Sequence, residues 1–133
     1  MKREKKIDPE YIRKKASEIT EEDLKRIVEE SEKIEARARE KGKLREYLDE
    51  VKLLISLVKD YLKGRYRDVS YVSITIVAFT LIYIVNMIDF FPDFLPAIGV
   101  VDDLTVLGFA LKTLSKELVK YKTWKSNEAE VTD

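Results

Sequence analysis

Residues 69–88 read VSYVSITIVAFTLIYIVNMI, twenty consecutive positions without a charged side chain. They begin a longer stretch, 69–111, that contains no basic residue and only four acidic ones. Twenty helical residues extend about 30 Å, which matches the hydrocarbon core of a bilayer. A helix of this composition is apolar on every side and has to be hidden from water. This segment therefore decides the fold.

Two structures would hide such a helix. In the first, 69–88 enters a membrane, and Lys63, Arg65 and Arg67 on its N-terminal side favour a cytoplasmic location for that end. In the second, it is the buried central helix of a soluble helical bundle. We favour the membrane, since a chain of 133 residues rarely encloses such a long helix completely. The expected protein is membrane-associated with its charged N-terminal region in the cytoplasm, and the alternative is soluble and cytoplasmic.

The N-terminal part of the chain has a helical pattern. Gly and Pro are few, and Glu, Lys, Leu and Arg dominate. Thr20 is followed by three acidic residues, which is typical of a helix start. We predict two charged helices, about 9–18 and 21–40, with Gly42 as the C-cap of the second.

Two further helices follow from hydrophobic spacing. Apolar residues recur at three- and four-residue steps over 43–63, which predicts an amphipathic helix ended by Gly64. Leucines and lysines form separate stripes over 102–120, which predicts a last helix beginning at the Asp pair before Leu104. The predicted fold class is all-α: a helical hairpin over about 69–120 packs with the amphipathic helix, and short charged helices precede them.

Composition excludes several classes of chemistry. The chain has no Cys and no His, so disulfides, thiolate metal sites, cysteine nucleophiles and imidazole acid–base catalysis are absent. Basic and acidic residues are equal in number, 25 each, and they alternate closely in the first half. No nucleic-acid partner is therefore expected. No catalytic residue is assigned, and the balance is against an enzyme.

The stretch after the apolar segment carries a family resemblance. Residues 83–111 read YIVNMIDFFPDFLPAIGVVDDLTVLGFAL. The pattern resembles the signature of the YkvA-like bacterial and archaeal family, a domain of unknown function numbered 1232. The signature is an apolar helix followed by an Asp, a Pro-Asp pair, a second Pro, a Gly and an Asp-Asp pair. In this chain these residues are Asp89, Pro92, Asp93, Pro96, Gly99, Asp102 and Asp103.

The resemblance covers roughly 43–125 and implies a small helical protein that is often predicted to lie in membranes. It implies no known activity. We therefore divide the chain into a charged helical extension (1–42), a YkvA-like helical domain (43–125) and a polar C-terminal tail (126–133).

Four carboxylates, Asp89, Asp93, Asp102 and Asp103, fall within 15 residues. We favour a structural role, in which they cap the last helix and fix turns through their own backbone. Asp89 follows the end of a helix, where the dipole disfavours an anion, so it needs a compensating donor. The alternatives are a Mg or Ca site, because these cations prefer oxygen ligands, and an acidic surface that binds a partner. No other cofactor is expected.

Three functions follow from these patterns. The leading one is a small membrane-associated scaffold or interaction module whose Asp-rich turn is structural. The second is a soluble helical bundle that self-associates or binds a partner through its apolar helix. The third is a Mg- or Ca-dependent site at the Asp cluster. The sequence names no protein partner, and a homo-oligomer is compatible with either of the first two.

Overall fold

A computed structural model describes residues 9–40, 42–84 and 103–131, and helices account for most of these residues. These ranges contain no strand, so the predicted all-α class is confirmed. In chain order the elements are α1 (Pro9–Ala16), α2 (Glu21–Glu29), α3 (Ser31–Glu40), a 3-10 helix (Gly42–Tyr47), α4 (Leu48–Leu62), α5 (Tyr71–Ile84), α6 (Asp103–Thr113) and α7 (Ser115–Val131).

The start of α2 is fixed by a reciprocal pair of hydrogen bonds. The Thr20 hydroxyl accepts the backbone N–H of Asp23 at 3.2 Å, and the Asp23 carboxylate accepts the N–H of Thr20 at 2.9 Å. This capping box satisfies two of the donors that a helix start leaves without partners. The predicted helix start at Thr20 is confirmed.

The segment predicted as one helix, 21–40, contains two helices that meet at Glu30. Glu30 departs from helical geometry, with φ −101° and ψ 17°. Neither Gly nor Pro marks this position. Helices α2 and α3 both contact α4 and α5, and the bend lets both follow that surface. Tertiary packing therefore sets a boundary that the local sequence does not show.

Helix α4 has the amphipathic character that its apolar spacing predicts. Gly64, predicted to end it, has a φ of +75°, which residues with a side chain rarely adopt. Its N–H bonds to the carbonyl oxygen of Tyr61 at 3.1 Å. The predicted helix end is confirmed. The buried apolar residues of α4 are Val51, Leu54, Ile55, Leu57 and Val58.

Helix α5 lies at the centre of the described structure. All twelve residues from Ser73 to Ile84 are buried. The hydroxyls of Thr75 and Thr80 bond to backbone carbonyls one turn earlier, at 2.7 and 2.9 Å. Five helices contact α5: α1, α2, α3, α4 and α6. Within the described residues, the uncharged segment is thus enclosed by other helices of the same chain.

The favoured prediction for 69–88, a membrane-inserted helix, differs from this structure. In the described ranges, no helix is both long enough and apolar enough to cross a bilayer. Helix α5 covers 14 residues there, about 21 Å, and 85–88 lie outside those ranges. The physical reason for the difference is that five helices cover α5, as in the alternative of a buried central helix.

The predicted last helix over 102–120 consists of α6 and α7, separated by Leu114. The N–H of Leu114 still bonds to the carbonyl oxygen of Ala110 at 2.9 Å, so the hydrogen-bond pattern continues through the junction. Helix α7 extends to Val131, into the segment 126–133 that is predicted as a polar tail.

The charged helices α1–α3, which fall in the predicted extension 1–42, pack directly on the rest of the protein. Helix α1 contacts α5, and both α2 and α3 contact α4 and α5. The division of the chain at 42 and 125 stays a prediction. The buried apolar residues before α4 are Ala16, Ile19, Leu24, Ile27, Ile34, Ala38 and Leu44.

Phe79 tests the enclosure of α5. Its side chain is 1% exposed, so Phe79→Ala should leave a cavity and lower the free energy of unfolding by about 3–5 kcal/mol. Val72→Ala, on the same helix but 58% exposed, should change it by less than about 0.5 kcal/mol. Urea unfolding followed by circular dichroism measures both. Similar losses in the two variants would contradict the enclosure.

Candidate functional site

The predicted Asp-rich turn lies largely outside the described residues. Asp103 is the first residue of α6, close to the predicted helix start. Where the structure describes the chain, no group of three or more acidic, His or Cys side chains is placed to hold a metal ion. The structural role of the turn and the alternative Mg or Ca site both stay predictions. The motif residues outside the described ranges are Asp89, Pro92, Asp93, Pro96, Gly99 and Asp102.

The candidate site that the structure does describe is a buried carboxylate at the end of α4. Asp60 lies in the last turn of this helix and is 1% exposed. An anion is doubly unfavourable there, because burial removes its hydration and the C-terminal end of a helix disfavours negative charge. Asp60 therefore requires donors close to its carboxylate.

Three side chains from outside α4 supply those donors. Arg65 donates Nε–H and Nη2–H to Oδ1, at 2.9 and 2.6 Å. Tyr121 and Lys125 reach Oδ2 from α7, at 2.5 and 2.9 Å. Both carboxylate oxygens thus accept charge-assisted hydrogen bonds, which are the stronger kind. We call Asp60, Arg65, Tyr121 and Lys125 the Asp60 cluster.

The turn after α4 places Arg65 beside the carboxylate. The backbone carbonyl of Asp60 accepts the N–H of Arg65 at 2.9 Å and that of Tyr66 at 3.2 Å. Gly64 makes this reversal possible through its positive φ. The same short segment therefore ends the helix, satisfies its last carbonyls and brings the cation to Asp60.

Aromatic rings cover the cluster. Tyr66 lies 5.1 Å from Tyr121 and 5.0 Å from Trp124, measured between ring centroids. Tyr121 and Trp124 stack at 5.8 Å. Tyr66 and Tyr121 are buried. Such ring contacts stabilise the packing of the turn against α7 by more than the burial of their apolar area alone would do.

Burial and hydrogen bonding compete at Asp60. Burial raises the pKa of its carboxyl, but hydrogen bonds from Tyr121, Lys125 and Arg65 outweigh that effect and hold the pKa below its ordinary value. Asp60 is therefore an anion at neutral pH. Burial raises the pKa of Tyr121, and the hydrogen bond to Asp60 raises it further. Tyr121 consequently stays protonated and remains a donor.

Ser56 extends the cluster along α4. Its Oγ lies 2.5 Å from the hydroxyl of Tyr121. Because Tyr121 donates its proton to Asp60, the Ser56 hydroxyl is the donor in this second bond. Asp60, the last acceptor in this chain of hydrogen bonds, also accepts hydrogen bonds from Arg65 and Lys125. The arrangement therefore holds α4, the turn and α7 in one geometry.

Asp60 is not among the residues predicted from the sequence, although a signal for it exists. It follows the buried Leu57 by three residues, which places a charge on the apolar side of α4. The requirement for a donor that we predict for Asp89 applies equally to Asp60. The partner on α7 has no local signal, because it lies 61 residues away in the chain.

Part of this architecture is similar to known proteins. Residues 73–109, from α5 into α6, match the model of a family described as "Protein of unknown function (DUF1232)". The chain is 26% identical over 78 residues to a protein of Bacillus subtilis (strain 168) named "Uncharacterized membrane protein YkvA", covering 59% of this chain and 74% of that protein. No solved structure matches the chain significantly.

The chain is thus an all-helical protein whose central segment is shared with proteins of unknown function. The match over 73–109 and the similarity to the Bacillus subtilis protein confirm the resemblance to the YkvA-like family that is predicted from the sequence.

Asp60→Asn tests the ionic part of the cluster. Loss of the anion should lower the free energy of unfolding at pH 7 by about 2–4 kcal/mol. The folded-state pKa of Asp60 lies below the unfolded one, so its contribution is present above about pH 4 and is lost as the pH falls further. The difference in the free energy of unfolding between wild type and Asp60→Asn, measured by urea unfolding, should therefore shrink as the pH falls from about 5 towards about 2.

A matched control is Asp68→Asn. Asp68 pairs with Lys120 at 3.2 Å, but its side chain is 72% exposed, so we expect a loss below about 1 kcal/mol. A loss at Asp60 no larger than that at Asp68 would contradict the importance of the cluster.

Tyr121→Phe tests the phenol. Removal of the hydroxyl should cost about 1–2 kcal/mol at pH 7. Because the pKa of Tyr121 is raised in the folded state, its contribution is complete below about pH 10 and declines above it. Urea unfolding at neutral and alkaline pH should show the two proteins converging. Tyr47→Phe, at an exposed tyrosine, controls for the substitution, and an equal effect there would refute the assignment.

Proposed function

We propose that the chain is a small membrane-associated helical protein that acts as a scaffold or interaction module. The observation that carries the proposal is that the uncharged helix α5 reaches the protein surface at its first turn. Tyr71 and Val72 are 46% and 58% exposed there. Apolar side chains at such a point enter the interfacial region of a bilayer while the helical bundle stays folded.

Two further facts support attachment to a membrane. The relative from Bacillus subtilis is named a membrane protein. In this chain, Lys63, Arg65 and Arg67 immediately precede the exposed start of α5 and are exposed themselves. Positive charge beside an apolar contact point favours an anionic membrane surface. A cytoplasmic location for the charged N-terminal region belongs to the same proposal.

The scaffold role is supported by the Asp60 cluster. Its hydrogen bonds use both carboxylate oxygens to hold three elements together. These hydrogen bonds fix the positions of α4, the turn and α7 relative to one another, as expected of a protein that offers a fixed surface for binding. A structural role of the Asp-rich turn belongs to the same proposal, and a Mg or Ca site there is its alternative.

The second candidate is a soluble helical bundle that self-associates or binds a protein partner. The enclosure of α5 by helices of its own chain favours this candidate. In a bundle of this kind, the apolar content of α5 serves the core alone. The two candidates differ in where the protein is found in a cell.

After expression of the full chain, separation of the membrane fraction from the soluble fraction distinguishes the two candidates. We expect the protein in the membrane fraction, released by detergent. Val72→Asp should reduce the bound fraction about tenfold or more, because a carboxylate resists desolvation at the interface. The variant should still fold, since the first turn of a helix favours an acidic residue.

Tyr47→Asp is the matched control, because Tyr47 is also an exposed apolar residue but precedes the opposite end of α4. We expect no change in its bound fraction. A chain that stays in the soluble fraction would reject membrane association and favour the second candidate. Equal losses in both variants would reject the role of Val72.

A further inference from the structure

Positive charge is concentrated where the turn after α4 meets α7. The whole chain has equal numbers of basic and acidic residues, 25 each. The two segments 59–68 and 115–125 together hold eight basic residues and three acidic ones. One of the three acids, Asp60, is buried. The surface formed by these segments is therefore strongly basic on a protein without net charge.

Hydrogen bonds and ion pairs bring these basic residues together. Arg65 and Lys125 both contact Asp60, at 2.6 and 2.9 Å. Lys120 pairs with Asp68 in the turn at 3.2 Å. The side chains of Arg65, Lys120 and Lys125 nevertheless remain 54%, 57% and 48% exposed. They are held in place by their partners and still face solvent.

Two more cations extend this surface. Arg67 donates Nε–H to the carbonyl of Tyr61 at 2.8 Å, and its guanidinium lies 4.5 Å from the centre of the Tyr61 ring. Lys116 is exposed one helical turn before Lys120 and so lies on the same side of α7. Glu128 is the first acid after Lys125. We call the set Arg65, Arg67, Lys116, Lys120 and Lys125 the basic face.

Exposed apolar side chains adjoin the basic face. The described residues contain four exposed large hydrophobic side chains, and three of them are Tyr71, Val72 and Val119. Val119 follows Lys116 by three residues, so the two side chains are neighbours on the surface of α7. The ring of Tyr71 lies 6.3 Å from that of Tyr61, measured between centroids, and Arg67 covers the Tyr61 ring. Basic residues with interspersed apolar ones are typical of surfaces that bind the headgroup region of a bilayer.

We propose that the basic face binds the anionic headgroups of a lipid bilayer, with Val72 and Val119 entering the interface beside it. This inference rests on the proposed membrane association and names the lipid chemistry that directs it. Each basic residue near an anionic leaflet contributes about fivefold to binding. The Asp60 cluster positions Arg65 and Lys125 so that the face is formed before contact.

Nucleic acid is the other polyanion that such a face would attract. The exposed apolar side chains favour a bilayer, because a phosphate backbone offers them no apolar region to enter. The equal numbers of basic and acidic residues in the whole chain also give little long-range attraction to nucleic acid. The lipid surface is thus the partner that fits both the charge and the apolar component.

Vesicle co-sedimentation of the full chain tests the proposal. Vesicles of phosphatidylcholine alone are compared with vesicles containing about 30% phosphatidylserine, at about 0.1 M and 0.5 M salt. We expect binding at least tenfold stronger to the anionic vesicles at low salt, and most of this gain lost at high salt. The double variant Lys116→Gln/Lys120→Gln should weaken anionic binding about 25-fold.

The matched control is Lys43→Gln/Lys52→Gln, which removes the same net charge. Lys43 lies in the 3-10 helix before α4 and Lys52 in the first half of α4, so both are distant from Asp60 along this helix. Binding of the control should stay within about threefold of wild type. Both double variants avoid the Asp60 cluster, and thermal unfolding by circular dichroism verifies that they fold.

The outcomes separate this inference from the proposed function. Equal binding to both kinds of vesicle, unchanged in the variants, would overturn the basic face and leave membrane association standing. No binding to either would reject both. Equal losses in the two double variants would overturn the face as the site. A fluorescent DNA duplex, bound more tightly than the anionic vesicles and lost in Lys116→Gln/Lys120→Gln, would also overturn it.

Discussion

Helix α5 cannot be exposed to water, and most of the described structure follows from that constraint. Burying one large apolar side chain stabilises a fold by about 1.5–3 kcal/mol relative to leaving it exposed. Helix α5 buries twelve consecutive residues, and five other helices lie against it. This explains the character of the charged N-terminal helices. Each buries at least one apolar residue, such as Ala16 in α1, Ile27 in α2 and Ile34 in α3, and exposes most of its charged side chains.

The Asp60 cluster adds a second constraint of a different kind. Buried ion pairs often give little net stability, because the cost of desolvation offsets their attraction. Their effect on geometry is larger, since both Arg65 and Lys125 must be in place before burial of Asp60 is tolerated. The cluster therefore fixes how the turn crosses α7. That crossing brings cations from two distant parts of the chain to one surface, so a structural site determines a candidate binding surface.

Local signals in the sequence predict elements whose boundaries depend on local chemistry. The helix start at Thr20 depends on a side chain three residues away, and the helix end at Gly64 depends on one backbone angle. The bend at Glu30 has no such signal, because contacts with α4 and α5 produce it. The same distinction applies to the site. The need of Asp60 for a donor can be predicted from its position, whereas Tyr121 as that donor depends on the packing of α7.

The uncharged segment 69–88 fits both a membrane-inserted helix and a buried core helix, and this ambiguity has a physical cause. A protein core and a lipid bilayer are about equally apolar, so the hydropathy of a helix does not distinguish them. What distinguishes them is which side chains remain exposed after the chain has packed. In α5 the exposed residues are confined to Tyr71 and Val72, beside the basic turn. The apolar content of α5 is then explained by the core, and the proposed membrane association rests on a small surface at its first turn and on α7.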